Sequence, residues 1–154
     1  SVAMLDLDHF KTINDALGHE GGDRALVALA GVLKRHVRGY DVVARMGGEE
    51  FLLLMPSTDA EGARGVAERL RFAIEQEAAR DSGLSQYGLG PLTASLGVAT
   101  LDPEDDLPGE RLLPLADRAL YAAKRRGRNQ VIHAWDVPDD EPGGSGLWRA
   151  PRGD

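Results

Sequence analysis

Two short apolar runs, residues 42–46 and 51–55, flank Gly47-Gly48, and this arrangement constrains the fold more than any other feature of the 154 residues. A glycine pair between strand-like runs signals a tight hairpin. The two runs are therefore expected as antiparallel neighbours, with Glu49 and Glu50 at their turn. Upstream, Val2-Ala-Met-Leu-Asp-Leu7 reads as a buried strand ending in Asp6 and Asp8. Residues 9–17 predict a short helix stopped by Gly18, and the spacing of Leu26, Leu29, Ala30, Leu33 and Val37 predicts a longer one. Beyond the hairpin, Thr58 with Glu61 reads as a capping box. It opens a helix striped by Ala63, Val66, Ala67, Leu70 and Ile74. Residues 93–101 predict a strand, 113–126 a helix and 129–135 a last strand.

This order points to an α/β (α+β) fold with a βαββαβ core of the ferredoxin-like or polymerase-palm kind. The expected sheet is central and mainly antiparallel, flanked by helices, with an extra helix and strand. In that topology the third strand lies between the first two, so Asp6 and Asp8 meet Glu49 and Glu50. Four acids at one sheet edge repel one another unless cations or raised pKa values intervene. Oxygen-only donors point to Mg²⁺ or Mn²⁺ rather than zinc. An EF-hand is excluded, because counting from Asp6 the sixth position is Lys11 and the twelfth Leu17. A pair of such ions beside glycines suits phosphoryl or nucleotidyl transfer. The plainer alternative is a strand end and a solvated turn.

Charge and composition narrow the classes. Eighteen Lys+Arg against twenty-five Asp+Glu give a net charge of −7, which speaks against a nucleic-acid or anionic-membrane surface. With no cysteine, disulfides, thiolate zinc sites and cysteine nucleophiles are excluded, as suits a reducing compartment. No apolar run is long enough to span a membrane and no signal peptide opens the chain. P-loop, H-E-x-x-H and G-x-S-x-G patterns are missing. His9, His19, His36 and His133 lack ligand spacing, and Trp135 and Trp148 make no stacking platform. Lys11 and the cluster Lys124-Arg-Arg-Gly-Arg128 could hold phosphate, although basic groups near a helix C-terminus also complement its dipole. Residues 136–154 hold three Pro, four Gly and five acids against two arginines. That is the composition of a disordered tail, leaving residues 1–135 as the domain. The chain opens without Met inside an apolar run and reads as a fragment of a longer protein.

The ordered motifs resemble the GGDEF family, the diguanylate cyclases. The hairpin reads Gly47-Gly48-Glu49-Glu50-Phe51, the GGEEF form of its signature. Before it stand Asp6-Leu-Asp-His-Phe-Lys11, Ile13-Asn14-Asp15, Gly18-His19 and Gly22-Asp23. After it come Ser95-Leu-Gly-Val98 and Ala116-Asp117-Arg-Ala-Leu-Tyr121-Ala-Ala-Lys124-Arg-Arg-Gly127-Arg128-Asn129. The resemblance implies condensation of two GTP into cyclic di-GMP, with release of two pyrophosphates, by an antiparallel homodimer. Asp6, Glu49 and the Leu7 carbonyl are then implied as ligands of two Mg²⁺ (or Mn²⁺). Glu50 is implied as a further ligand or as the group that helps deprotonate the attacking 3′-hydroxyl. Asn14 and Asp23 would read guanine, Phe10, Lys11, Lys124 and Arg128 would bind the triphosphate, and Gly47 and Gly48 would admit the phosphates. Arg38 and Asp41 match the family's R-x-x-D inhibitory site for cyclic di-GMP, with Arg69 as a candidate third member. The family's usual D-x-L-T-x-L-x-N-R segment and its signal-input domain are missing here. The implied setting is the bacterial cytoplasm, with a parent that a missing region could anchor in a membrane. The competing readings are a silent module that binds GTP or cyclic di-GMP and regulates a partner, and a related cyclase using ATP or mixed substrates, which Asp23 disfavours.

Overall fold

The computed structural model describes residues 1–101, 108–138 and 141. Most of the expected tail (residues 139–140 and 142–154, with Trp148) lies outside the described residues. The chain runs β1 (Val2–Leu7), α1 (Phe10–His36), β2 (Val42–Gly47), β3 (Glu50–Leu54), α2 (Ala60–Ala73), a π-helical turn (Ile74–Ala78), α3 (Ala79–Asp81) and a 3-10 turn (Leu84–Tyr87). It continues through β4 (Ala94–Ala99), a 3-10 turn (Gly109–Arg111), α4 (Leu112–Arg125), β5 (Val131–His133) and a last 3-10 turn (Ala134–Asp136). Among the described residues no helix is long and apolar enough to cross a membrane.

All six residues of β1 are buried, because it is the middle strand of a five-stranded sheet ordered β2-β3-β1-β4-β5. It pairs antiparallel with both β3 and β4, whereas β4 and β5 run parallel. The third strand does lie between the first two, as expected. Side chains alternate along β1 as the pleat requires. Ala3, Leu5 and Leu7 join Phe51, Leu53, Leu96, Val98 and the stripes of α1 and α2 in the larger core. Val2 and Met4 turn to the opposite face and pack with Ala116, Ala119 and Leu120 of α4. Beyond the reach of α4, Val42, Met46 and Leu54 stay exposed.

Three local expectations are corrected. The two helices expected before the hairpin form one element interrupted at Gly18, whose φ of 69° and ψ of 179° break the helical path. Asp59, not Thr58, caps α2. Its carboxylate accepts from Gly62 N at 2.8 Å, while the Thr58 hydroxyl donates to Pro56 O. A charged acceptor at the positive end of a helix outcompetes the neighbouring hydroxyl. The last strand spans only Val131–His133, because the chain then turns and the Trp135 N–H bonds to His133 Nδ1 at 3.2 Å. Val137 is buried against the α4 layer, and Arg118 donates to the carbonyls of Val137 and Pro138.

α4 crosses the sheet at Gly97. A Cβ there would lie 2.1 Å from both Ala116 O and Leu120 N, backbone atoms that cannot swing aside. Gly97→Ala is expected to destabilise the fold by about 3 kcal/mol. Urea unfolding measures it, and an unchanged midpoint would contradict the contact.

His133 is fully buried and holds a single proton. Its Nδ1 accepts from Trp135 N, which leaves the proton on Nε2 facing Thr100 Oγ1 at 3.1 Å. Burial pushes its pKa down to about 4, helped by Arg64 and partly offset by Asp136. The unfolded chain, with an ordinary histidine near 6.5, takes up the extra proton first. Stability from this group is full above pH 6.5 and is lost as the pH falls toward 4. Thermal unfolding of His133→Gln across this window should show a flatter pH dependence than the parent; the same slope in both would remove the assignment.

Candidate active site

The hairpin register brings the acids together. Asp6 stands opposite Glu50 in the β1–β3 ladder, and Leu7 N donates to the Glu49 carbonyl at 3.3 Å. Gly48, at φ 51°, makes the left-handed turn that a side chain would resist. Arg45 holds that turn from the side, its Nε and Nη2 donating to Gly48 O at 3.0 and 2.8 Å. No sequence motif marks this arginine. Its one visible signal was the strand alternation that places Arg45 on the same face as Val43.

Asp6 is almost wholly buried, and Lys124 from the last turn of α4 meets it at 2.7 Å. Burial pushes the Asp6 carboxyl up to about 6. Lys124 pulls against that shift, while Glu49 and Glu50 add to it by repulsion. The expected fourth acid, Asp8, does not join them. Its carboxylate accepts from Thr93 Oγ1 (2.9 Å), Ser95 Oγ (2.7 Å) and Asn129 N (3.0 Å). Three donors commit it to the β4 side, so the cluster holds three carboxylates. Their oxygens suit a hard divalent cation in chemistry. Among the described residues no three acidic or histidine side chains converge closely enough to hold an ion by themselves.

In the first half of α1, half-buried Phe10 and Asn14 pack close to Gly22. A Cβ on Gly22 would come within 2.1 Å of Asn14 Oδ1 and 3.0 Å of Phe10. Among the described residues, Asn14 Oδ1 is buried without a hydrogen-bond partner, an acceptor in need of a donor. Asp23 follows Gly22 on the helix and is exposed. Lys11 projects into solvent and pairs with Asp15 at 2.5 Å. Arg128 is exposed at φ 63°.

A second group lies past the end of α1. Arg38 N donates to Asp41 Oδ2 at 2.9 Å, Asp41 N donates back to Arg38 O at 3.0 Å, and the Arg38 side chain donates to the Tyr40 hydroxyl. Arg69 reaches this corner from α2, donating to His36 O at 3.4 Å. The turn leaves Asp41 Oδ1 buried and without a partner among the described residues.

The sequence model of the family described as "Diguanylate cyclase, GGDEF domain" matches residues 1–130. Among curated proteins, the chain is 43% identical over 130 residues to diguanylate cyclase DgcP of Pseudomonas aeruginosa, covering 84% of this chain and 18% of that protein. It is 37% identical over 131 residues to diguanylate cyclase A of Treponema denticola, covering 85% and 34%. The chain thus spans about a fifth and about a third of the length of these two relatives. Among solved structures, it superposes with a TM-score of 0.73 on the GGDEF domain of DgcB from Caulobacter crescentus in complex with c-di-GMP, at 33% identity over 87% of this chain and 77% of that one. The active GGEEF domain of a diguanylate cyclase from Vibrio cholerae gives 0.73 at 30% identity, covering 86% and 81%.

Proposed function

The chain belongs to the GGDEF family, and on that premise we propose that it condenses two GTP into cyclic di-GMP and two pyrophosphates. The observation that carries this reading is the cross-strand pair Asp6 and Glu50, joined by Glu49 and faced by Lys124 at 2.7 Å. In each half-reaction the 3′-oxygen of one GTP bonds to the α-phosphorus of the other. The bond from that phosphorus to the bridging oxygen breaks, and pyrophosphate leaves with its electron pair. Asp6, Glu49 and the Leu7 carbonyl would hold the divalent cations, which supply charge neutralisation and a more acidic hydroxyl. Glu50 either completes that ligand set or accepts the hydroxyl proton. Lys124 would pass from Asp6 to a phosphate oxygen, and Arg128 and Lys11 would add their charges to the triphosphate alongside Phe10. Gly47 and Gly48 keep side chains out of its way.

For the base, Asn14 Oδ1 offers a buried acceptor, and guanine presents N1–H and N2–H₂ donors to it and to Asp23. One domain offers one such site, so two copies face each other as a homodimer, each with its own GTP. The unit that carries the activity is residues 1–135, acting in the bacterial cytoplasm. Arg38, Asp41 and Arg69 are proposed to bind the product as an inhibitor, because paired guanidinium groups fit phosphate and the spare Asp41 oxygen fits a guanine N–H.

Incubation with GTP and Mg²⁺, followed by chromatography, should yield cyclic di-GMP. Glu49→Ala and Glu50→Ala should each lower kcat by at least about 100-fold with the melting temperature little changed. Tight GTP binding without product would favour the silent module instead, and full activity in either variant would remove the acid assignment. For the inhibitory site, calorimetry with cyclic di-GMP should show affinity falling at least about tenfold in Arg38→Ala; equal affinity would discard that site.

A further inference from the structure

The segment after α4 takes an uncommon path. Gly127, Arg128 and Asn129 have φ values of 120°, 63° and 43°, so two successive residues with side chains sit in the left-handed region. Such conformations persist only where their surroundings hold them. Here the holding groups come from three distant elements. Asn129 N donates to Asp8 Oδ2 at 3.0 Å. Asn129 Oδ1 accepts from Arg71 Nη1 at 2.9 Å, and Asn129 Nδ2 donates to Glu75 Oε1 at 3.2 Å. Arg71 and Glu75 are themselves paired at 3.0 Å, and Arg71 also bonds Glu68. On the other side of the turn, Arg128 N donates to Ala123 O at 3.0 Å.

We propose that Asn129 is a positioning residue: its amide on Asp8 and its side chain between Arg71 and Glu75 fix the turn that carries Arg128 beside the end of β1. The inference rests on the reading above that Arg128 binds a GTP phosphate. Asp8, turned away from the acid cluster, has its use here. It ties the strand that carries Asp6 to the turn that carries Arg128, so the acid and the base keep one spacing. Glu75 lies in the π-helical turn, the register irregularity that follows α2.

The network has a directional polarity that can be reversed. Asn129→Asp removes the donor to Glu75 and sets two carboxylates face to face. Adding Glu75→Gln restores a donor opposite the new carboxylate at unchanged net charge. Calorimetry of the full chain with GTP and Mg²⁺ should show affinity reduced about tenfold in Asn129→Asp and recovered to within about threefold of the parent in the pair. The melting temperatures should not follow the same order. Equal affinity in parent and Asn129→Asp overturns the inference alone, as does a pair that fails to recover. A parent chain that takes up no GTP overturns the proposed function, and the inference with it.

Discussion

A carboxylate at the end of a strand buried on both faces requires a cation nearby, and Lys124 lies 2.7 Å from Asp6. Much of the architecture follows from this contact. α4 must end above β1 to deliver the lysine, and it comes so close because β4 offers a glycine under its backbone. The last turn of a helix is also where a cation is best tolerated. One charge does not balance the site: burial still holds the Asp6 carboxyl up to about 6, and Glu49 and Glu50 add to that by repulsion. The remaining repulsion is what a divalent cation would relieve in the proposed reaction.

The strands and the faces of the helices were legible because burial marks the chain: nearly unbroken apolar runs along β1 and β3, and a period near four along α2. The hairpin was legible from its glycines, one of which takes a backbone angle that other residues avoid. Where two groups compete for one role, pattern alone could not decide. Asp59 and Thr58 can both cap a helix, and the carboxylate prevails by charge. Asp8 looked like a companion of Asp6, only two residues away along a strand. Its partners are Thr93, Ser95 and Asn129, and no local spacing could announce contacts so remote in sequence. Arg45 was hidden for a similar reason, since its role is to hold a carbonyl rather than to display a motif.

α2 serves both candidate sites. Arg69 reaches the carbonyl of His36 beside the Arg38–Asp41 turn, and Arg71 reaches Asn129 beside the acid cluster. Residues two apart on a helix point to different sides, so a single rigid rod touches both places. At the next turn, Glu75 bonds Asn129 while Glu77 bonds Arg35 and His36 at the end of α1. The π-helical turn thus has one carboxylate for each side. Side chains on this one element thus reach both candidate sites.

The middle position of β1 also bears on how the chain reaches this state. Its partners, Glu50–Leu54 and Ala94–Ala99, are made long after it, and pairing across such separations is slow. Until then Val2–Leu7 is an unpaired, strongly apolar run, the kind of segment that joins other chains into aggregates. Its one charge is Asp6, which in the open chain ionises as an ordinary aspartate and is fully charged at neutral pH. A lone charge inside such a run opposes self-association. The carboxylate that is costly in the finished sheet is therefore a safeguard during folding.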